Sequence, residues 1–326
     1  MKNKEPFIVV TGAAGFIGSG VVRHLNDLGK TNLLLVDDIK ESDKWKNLVG
    51  KRFSDFVSRY KIFDYLKGRE EEISAFIHLG ACSNTLERNG DYLLENNYRF
   101  SLRLAEVALK HNKKFIYASS AATYGNGSLG FKDDHQGLGI LQPLNLYGYS
   151  KHLFDLWLEQ EKLLQQVVGL KYFNVFGPNE YHKGEMASMI LKMAGKVQKE
   201  GLISLYKSTE PEKYADGEQV RDFIYVKDAV RMTCEFLDKE AHGIFNIGRG
   251  EVVTWNRLAK ALFQALKKPT NIQYIDMSPQ LAKQYQNYTC ADMTKFRKIF
   301  PNFSMTSIED AVDEYVNQYL LPEARW

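Results

Sequence analysis

Cysteine is scarce: three in 326 residues, at positions 82, 234 and 290, odd in number and without metal-ligand spacing. That excludes a disulfide scaffold and a bound metal, and it points to reduced thiols in the cytoplasm. There are only eight prolines and no biased tract, so low-complexity linkers and internal repeats are absent. Neither charge sign dominates: 43 Lys and Arg stand against 40 Asp and Glu, a net +3. With no basic run carrying interleaved aromatics, nucleic acid is a poor candidate partner. No apolar run reaches the ~18 residues of a membrane-spanning helix. The start, "MKNKEPFIVVTG", has a charged opening, but its apolar run is short and enters a glycine turn. It reads as a first strand, not a signal peptide.

What is present is the make-up of a globular protein: 44% hydrophobic, 25% charged and 13% aromatic residues. The length allows one large lobe with a smaller one. Short, nearly continuous apolar runs recur at 7–12, 32–37, 75–80, 114–120, 167–177 and 243–248. Such runs imply a sheet covered on both faces. Between them lie helical patterns such as "GSGVVRHLNDLGK" and "NNYRFSLRLAEVALKHN", where Phe100, Leu104, Val107 and Ala108 recur on one face. Alternating strands and helices predict an α/β fold, a Rossmann-like doubly wound parallel sheet. After residue 177 the pattern loosens, with helices expected at 186–200, 254–267 and 307–320. We expect a cofactor-binding domain over 1–176, rejoined by about 222–250. A smaller mixed α/β substrate lobe is expected over 177–221 and 251–326.

"TGAAGFIG" places Gly12, Gly15 and Gly18 directly after the first strand and at the start of a helix. Gly12 permits the tight turn, Gly15 lets the backbone approach a pyrophosphate, and Gly18 lets the helix pack on the strand. The helix N-terminus then faces the anion. Asp37 and Asp38 end the second strand, where an acid grips ribose hydroxyls and favours NAD. Lys44 and Arg59 are near enough in sequence to meet a 2′-phosphate instead; the alternative for both is a solvated surface. Local chemistry leaves NAD and NADP open.

"LYGYSK" puts Tyr147 and Lys151 four apart, on one face of a helix. A free tyrosine, with pKa ~10, is too weakly acidic to serve as a base at neutral pH. A neighbouring ammonium and a positive nicotinamide would favour the phenolate and lower that value. The lysine can also hold the nicotinamide ribose. "YASSAATYG" adds Ser120 at a strand end, where its hydroxyl can hold a substrate oxygen and orient Tyr147. The alternative is a core serine and tyrosine beside a salt-bridged lysine.

Glycine turn, strand-end serine and YxxxK, in that order, resemble the extended short-chain dehydrogenase/reductase superfamily. The segments "HLGACSNT", "ENNY", "YASSAATYG", "PLNLYGYSK", "YFNVFGP", "HKGEMAS", "RDFIYVKD", "GIFNIG" and "YQNYTCAD" resemble, more specifically, its ADP-L-glycero-D-manno-heptose 6-epimerases. The resemblance covers essentially the whole chain. It implies an isomerase that inverts C6 of an ADP-linked heptose, on the route to lipopolysaccharide core. It also implies tightly held NADP and a homo-oligomer, a pentamer. Inversion by transient oxidation requires the ketone to turn and present its other face to a stationary hydride carrier. One acid/base group does not serve both positions of the oxygen. In the resembling family the pair is a tyrosine and a lysine, matching Tyr147 and Lys183. The bland alternative for Lys183 is a solvated loop lysine or a phosphate contact.

The resemblance carries further roles. Phe16 and Ile17 flank the pyrophosphate. Leu79, Gly80, Ala81, Cys82 and Ser83 line the cofactor, which Asn96 and Val175 also touch. Asn174 faces the substrate, and Tyr206, Arg221 and Tyr285 serve its nucleotide end, Arg221 pairing a phosphate. The alternative for Arg221 is a salt bridge to Asp222 or Asp228; for the two tyrosines it is packing. Two positions depart from the family: Glu185 where serine is usual and Lys192 where histidine is usual. Seven-residue spacing puts both on one helix face of the pocket wall, and Glu185 is expected to hold Lys183 or a sugar hydroxyl. The segment "KSTEPEKYADGEQVRDF" is also longer and more charged than is usual. Two rivals are carried forward, a sugar 4-epimerase and a non-catalytic cofactor-sensing protein. A dehydratase is disfavoured because Ala121-Ala122 follows Ser120 and cannot move protons.

Overall fold

The computed structural model describes residues 6–282 and 285–326. Seven strands form one parallel sheet. They are β1 (Phe7–Thr11), β2 (Leu33–Asp37), β3 (Asp55–Ser58), β4 (Ile73–His78), β5 (Lys114–Ser120), β6 (Val168–Tyr172) and β11 (Gly243–Ile247), in spatial order β11-β6-β5-β4-β1-β2-β3. The order reverses between β1 and β4, and that switch point opens a crevice at the carboxyl edge. Val9, Leu34, Ile77 and Phe115 are fully covered, as a sheet with helices on both faces requires. The flanking helices include α1 (Phe16–Asp27), α2, α3 (Leu146–Gln160) and α4 (Met189–Glu200). Helix α2 runs Gly90–Leu93, a π-helical stretch Leu94–Arg99 and Phe100–Lys110. Three small pairs lie beyond the main sheet: β7 (Asn174–Phe176) with β10 (Phe223–Tyr225), β9 (Val220–Arg221) with β12 (Val253–Thr254), and β8 (Ile203–Tyr206) with β13 (Ile272–Ile275).

Most expected elements stand within a few residues of their predicted bounds, but the short strands β8, β9, β10, β12 and β13 were not expected. The run 167–177 is not one strand: it leaves the main sheet after Tyr172 and re-pairs as β7 with β10. The break directs Asn174 and the chain beyond it away from the sheet. Strand β3, "DFVS", was not expected, because only Val57 of its four residues is buried. An edge strand with one covered residue carries little hydrophobic signal. The predicted helix 307–320 is α-helical only over Ile308–Glu314 and continues as a π-helix over Tyr315–Leu320.

Candidate active site

The glycine turn is close-packed. A Cβ on Gly18 would fall 2.0 Å from the Gly12 carbonyl oxygen, and one on Gly12 would fall 2.7 Å from the Gly80 amide nitrogen. Gly12 also has φ +66°, a conformation that suits glycine. Helix α1 therefore starts directly over the end of β1, its first amides aimed at the crevice. Asp37 is spent on this turn. Its carboxylate accepts from the Ala14 amide at 2.8 Å and from Lys44 Nζ at 2.6 Å. Lys44 is therefore no free surface cation. Asp38 accepts from Tyr60 Oη at 2.9 Å. Arg59 lies 4.8 Å from the Tyr60 ring and 5.6 Å from the Phe100 ring, and its buried Nε has no hydrogen-bond partner among the described residues. A buried donor without an acceptor is costly and suits an anion.

The π-helical stretch of α2 turns Asn96 and Asn97 inward. Asn97 spans three elements: Oδ1 accepts from the Cys82 amide at 2.8 Å, and Nδ2 donates to the Cys82 carbonyl and to Ser150 Oγ, both at 3.0 Å. It thereby holds the Leu79–Ser83 segment against α3. Asn96 donates to Asn97, while its buried Oδ1 has no partner among the described residues. Leu79 to Cys82 are partly covered and Ser83 is exposed. Val175 is partly buried and Asn174 is exposed, its amide tied to the Asp222 carbonyl at 3.0 Å.

Tyr147 and Lys151 stand one turn apart on α3. Asn145 caps that helix, accepting from the Gly148 amide at 2.8 Å. A Cβ on Gly148 would lie 2.8 Å from the Ala122 carbonyl oxygen, so glycine there lets α3 close onto the Ser120 turn. Ser120 ends β5, and its Oγ accepts from the Ala122 amide at 3.1 Å. Below lies a buried polar cluster: Asp155 accepts from Tyr117 at 2.9 Å and Ser119 at 2.7 Å, with Lys171 Nζ at 3.5 Å. The protein's own groups do not by themselves acidify the tyrosine. Burial pushes the Tyr147 phenol up, and the Ser120 hydroxyl only partly opposes it. Lys151 does not reverse this, because burial holds its own ammonium down to about 8, opposed by Asp155. The Lys151 Nζ makes no hydrogen bond among the described residues, so the salt-bridged alternative fails.

An ammonium buried without a partner weakens the fold. The folded value near 8 lies below the ordinary 10.5, so the penalty is complete below pH 8 and fades as pH rises toward 10.5. Lys151→Met is therefore expected to raise unfolding free energy at pH 7 by about 1–3 kcal/mol while losing activity. Urea melts at pH 7 and pH 10 check it: the gain should shrink at the higher pH.

Lys183 sits in a one-turn helix, Tyr181–Met186, over α1, with Nζ 5.2 Å from the centre of the Phe16 ring. Burial lowers its pKa, opposed by Glu180. Sequence reasoning missed Glu180, which is fully buried. Its carboxylate accepts from Ser188 Oγ at 2.7 Å, Tyr315 Oη at 3.0 Å and the Gly177 amide at 3.2 Å. No motif marks it, because its partners are 3 to 135 residues away. The expectation for Glu185 is corrected. Glu185 is exposed and pairs with Lys192 at 3.3 Å, and Lys192 Nζ also takes the Glu185 carbonyl at 2.6 Å. Nor do they share a helix face, since Ser188 starts α4 between them.

At the far end, the Arg221 guanidinium lies 4.9 Å from the Tyr285 ring and 5.9 Å from the Trp255 ring, and Tyr285 packs edge-on against Tyr206 at 6.3 Å. The salt-bridge alternative fails here too. Asp222 accepts from the amides of Arg249, Gly250 and Ala291, and Asp228 pairs with Arg231 at 2.7 Å. Burial lowers the Arg221 pKa with no carboxylate to oppose it.

A profile of the NAD dependent epimerase/dehydratase family matches residues 8–248. The chain belongs to that family. Within the NAD dependent epimerase/dehydratases, it is 48% identical over 315 residues to the ADP-L-glycero-D-manno-heptose-6-epimerase of Nitratidesulfovibrio vulgaris strain DP4, covering 96% of this chain and 97% of that one. Identity to the Fusobacterium nucleatum protein of the same name is 41% over 328 residues, 97% and 98% of the two chains. Among solved structures, the Helicobacter pylori ADP-L-glycero-D-manno-heptose-6-epimerase matches with TM-score 0.81 at 26% identity, over 97% of this chain and 98% of that one. The Thermotoga maritima UDP-glucose 4-epimerase matches with TM-score 0.79 at 26% identity, over 98% and 100%.

Proposed function

We propose that this family member inverts C6 of ADP-D-glycero-D-manno-heptose, giving the L-glycero epimer for lipopolysaccharide core. The observation that carries it is the 48% identity, nearly end to end, to a protein of that name. The unpartnered Arg59 Nε, Asn96 Oδ1 and Lys151 Nζ fit a nicotinamide dinucleotide. Gly12, Gly15, Phe16, Ile17 and Gly18 would hold its pyrophosphate, and Asp37, Asp38, Lys44 and Arg59 its adenosine ribose. Asn96, Lys151, Val175 and Leu79–Ser83 would hold its nicotinamide half. Held there, a nicotinamide would supply a hydride acceptor and donor for the carbinol carbon. We assign NADP from the resemblance to the 6-epimerases, with the buried, unpartnered Arg59 Nε as the cation available to a 2′-phosphate and Lys44 held by Asp37.

The protein's own groups do the proton work. Tyr147, as phenolate, takes the hydroxyl proton at one position of C6, beside Ser120. Lys183, as ammonium, gives a proton to the oxygen at the other. In the reverse direction each group enters in the opposite state. Burial lowers the Lys183 pKa, so its ammonium gives up a proton more readily than a free lysine. Arg221, Tyr206 and Tyr285 hold the ADP end, and Asn174 faces the sugar. In this reading residues 1–176 and 222–250 serve the cofactor and the remainder the sugar. The enzyme works in the cytoplasm as a homo-oligomer, a pentamer.

The likeness to a 4-epimerase structure sets the rival reading. Purified protein given ADP-D-glycero-D-manno-heptose should yield separable C6 epimers. Inert ADP-heptose with converted UDP-glucose would reverse the assignment. The same preparation, denatured, should release NADP; NAD alone would remove the phosphate role of Lys44 and Arg59.

A further inference from the structure

We propose that Asn47 is a positioning residue: it ties the Lys183 loop to the glycine turn, so that the amine and the cofactor-binding turn hold one fixed relation. The inference rests on the acid/base reading of Lys183. Lys183 Nζ makes no hydrogen bond among the described residues, so its aim over Phe16 is set by its backbone. The Lys183 amide donates to the Glu180 carbonyl at 2.9 Å, and side chains from distant segments fix the turn. Asn47 lies in the turn Asp43–Leu48 and is 1% exposed. Its Nδ2 donates to the Ala14 carbonyl, inside the glycine turn, at 3.1 Å and to the Asn179 carbonyl, four residues before Lys183, at 3.0 Å. His182 Nδ1 is a longer contact at 3.4 Å. An amide nitrogen has two hydrogens, so the two carbonyls are the bonds it satisfies. Its Oδ1 accepts from Arg325 Nε at 3.1 Å.

Asn179 completes the brace. It holds a left-handed backbone, φ +77°. Its side chain donates to Ser19 Oγ on α1 at 3.1 Å and to the Trp326 carbonyl at 3.0 Å, and accepts from the Trp326 amide at 2.9 Å. Tyr181 adds a bond to the Ala324 carbonyl at 2.9 Å. Lys44, in the same turn as Asn47, is bonded to Asp37. One six-residue turn thus reaches both the ribose edge and the loop of the second proton handler. Displacement of a reacting group by an ångström is enough to cost a large rate factor.

The test is a double-mutant cycle on purified, cofactor-loaded protein, reading C6 epimerisation. Asn47→Ala is expected to lower kcat on the order of 10- to 100-fold, with KM for the ADP-heptose changed less than about threefold and bound nucleotide undiminished. In the Lys183→Met background, Asn47→Ala should cost little, because the group it aims is gone. Equal losses in both backgrounds, or a wild-type kcat, would overturn the proposal. If Asn47→Ala does not fold, Arg325→Ala replaces it in the same cycle, with a smaller loss and the same criterion. A Lys183→Met protein that keeps its rate sinks the acid/base reading, and this inference with it. An impaired Lys183→Met with equal Asn47 losses sinks this inference alone.

Discussion

Tyr147→Phe is expected to lower kcat for C6 epimerisation by about 10³-fold, with KM altered less than about threefold. The change removes one hydroxyl and leaves the ring. Tyr147 is partly buried and its oxygen has one polar neighbour, the Ser120 hydroxyl, so the melting temperature should change little. The phenol stands beside the Ser120 hydroxyl and one helical turn from Lys151, and Ala121 and Ala122, which follow Ser120 in the chain, carry no proton. Burial has raised its pKa, so forming the phenolate depends on positive charge brought to it. That dependence is what the substitution exposes. A variant with more than a tenth of the wild-type kcat would remove Tyr147 from the chemistry, since general acid–base groups contribute roughly 10²- to 10⁴-fold.

Lys183→Met should be comparably severe, a loss of about 10²- to 10⁴-fold in kcat. Methionine keeps the apolar stem against Phe16 and removes only the amine. If that amine supplies the proton on one side of the turned ketone, no other group described in the loop replaces it. Glu180 is buried and occupied by Ser188, Tyr315 and Gly177, Glu185 is paired with Lys192, and burial with two neighbouring cations holds the His182 pKa down to about 4. Such a histidine is neutral at pH 7 and a poor proton donor. Activity should be followed with released nucleotide measured in parallel. Undiminished epimerisation with intact cofactor would make Lys183 a solvated loop residue.

Much of this site could be read along the chain because its chemistry is local. The glycine turn, Ser120 and the Tyr147–Lys151 pair each fall within one strand–turn or one helix, where spacing alone decides which groups share a face. Phe100, Leu104 and Ala108 likewise announced their helix. Misreadings occurred where distance along the chain hid the partner. Glu185 was expected to hold Lys183 or a sugar hydroxyl, whereas it is exposed and pairs with Lys192, which lies beyond the helix start at Ser188. Tyr147 was expected to be acidified by its lysine together with a positive nicotinamide; spacing along the helix did not show that burial penalises the charge of both side chains. The π-helical stretch that carries Asn96 and Asn97, both buried, has no composition signal.

By itself the sequence determined the doubly wound sheet and the place of the glycine turn at its carboxyl edge. Those rest on short-range sterics and on the periods of strand and helix. Only the tertiary structure decided how Lys183 is held. Its loop is fixed by Glu180, Asn179 and Asn47, whose partners at Tyr315, Trp326 and Ala14 are 33 to 147 residues away. Hydrogen bonds of that reach depend on where the folded backbone brings distant carbonyls, which no local pattern encodes.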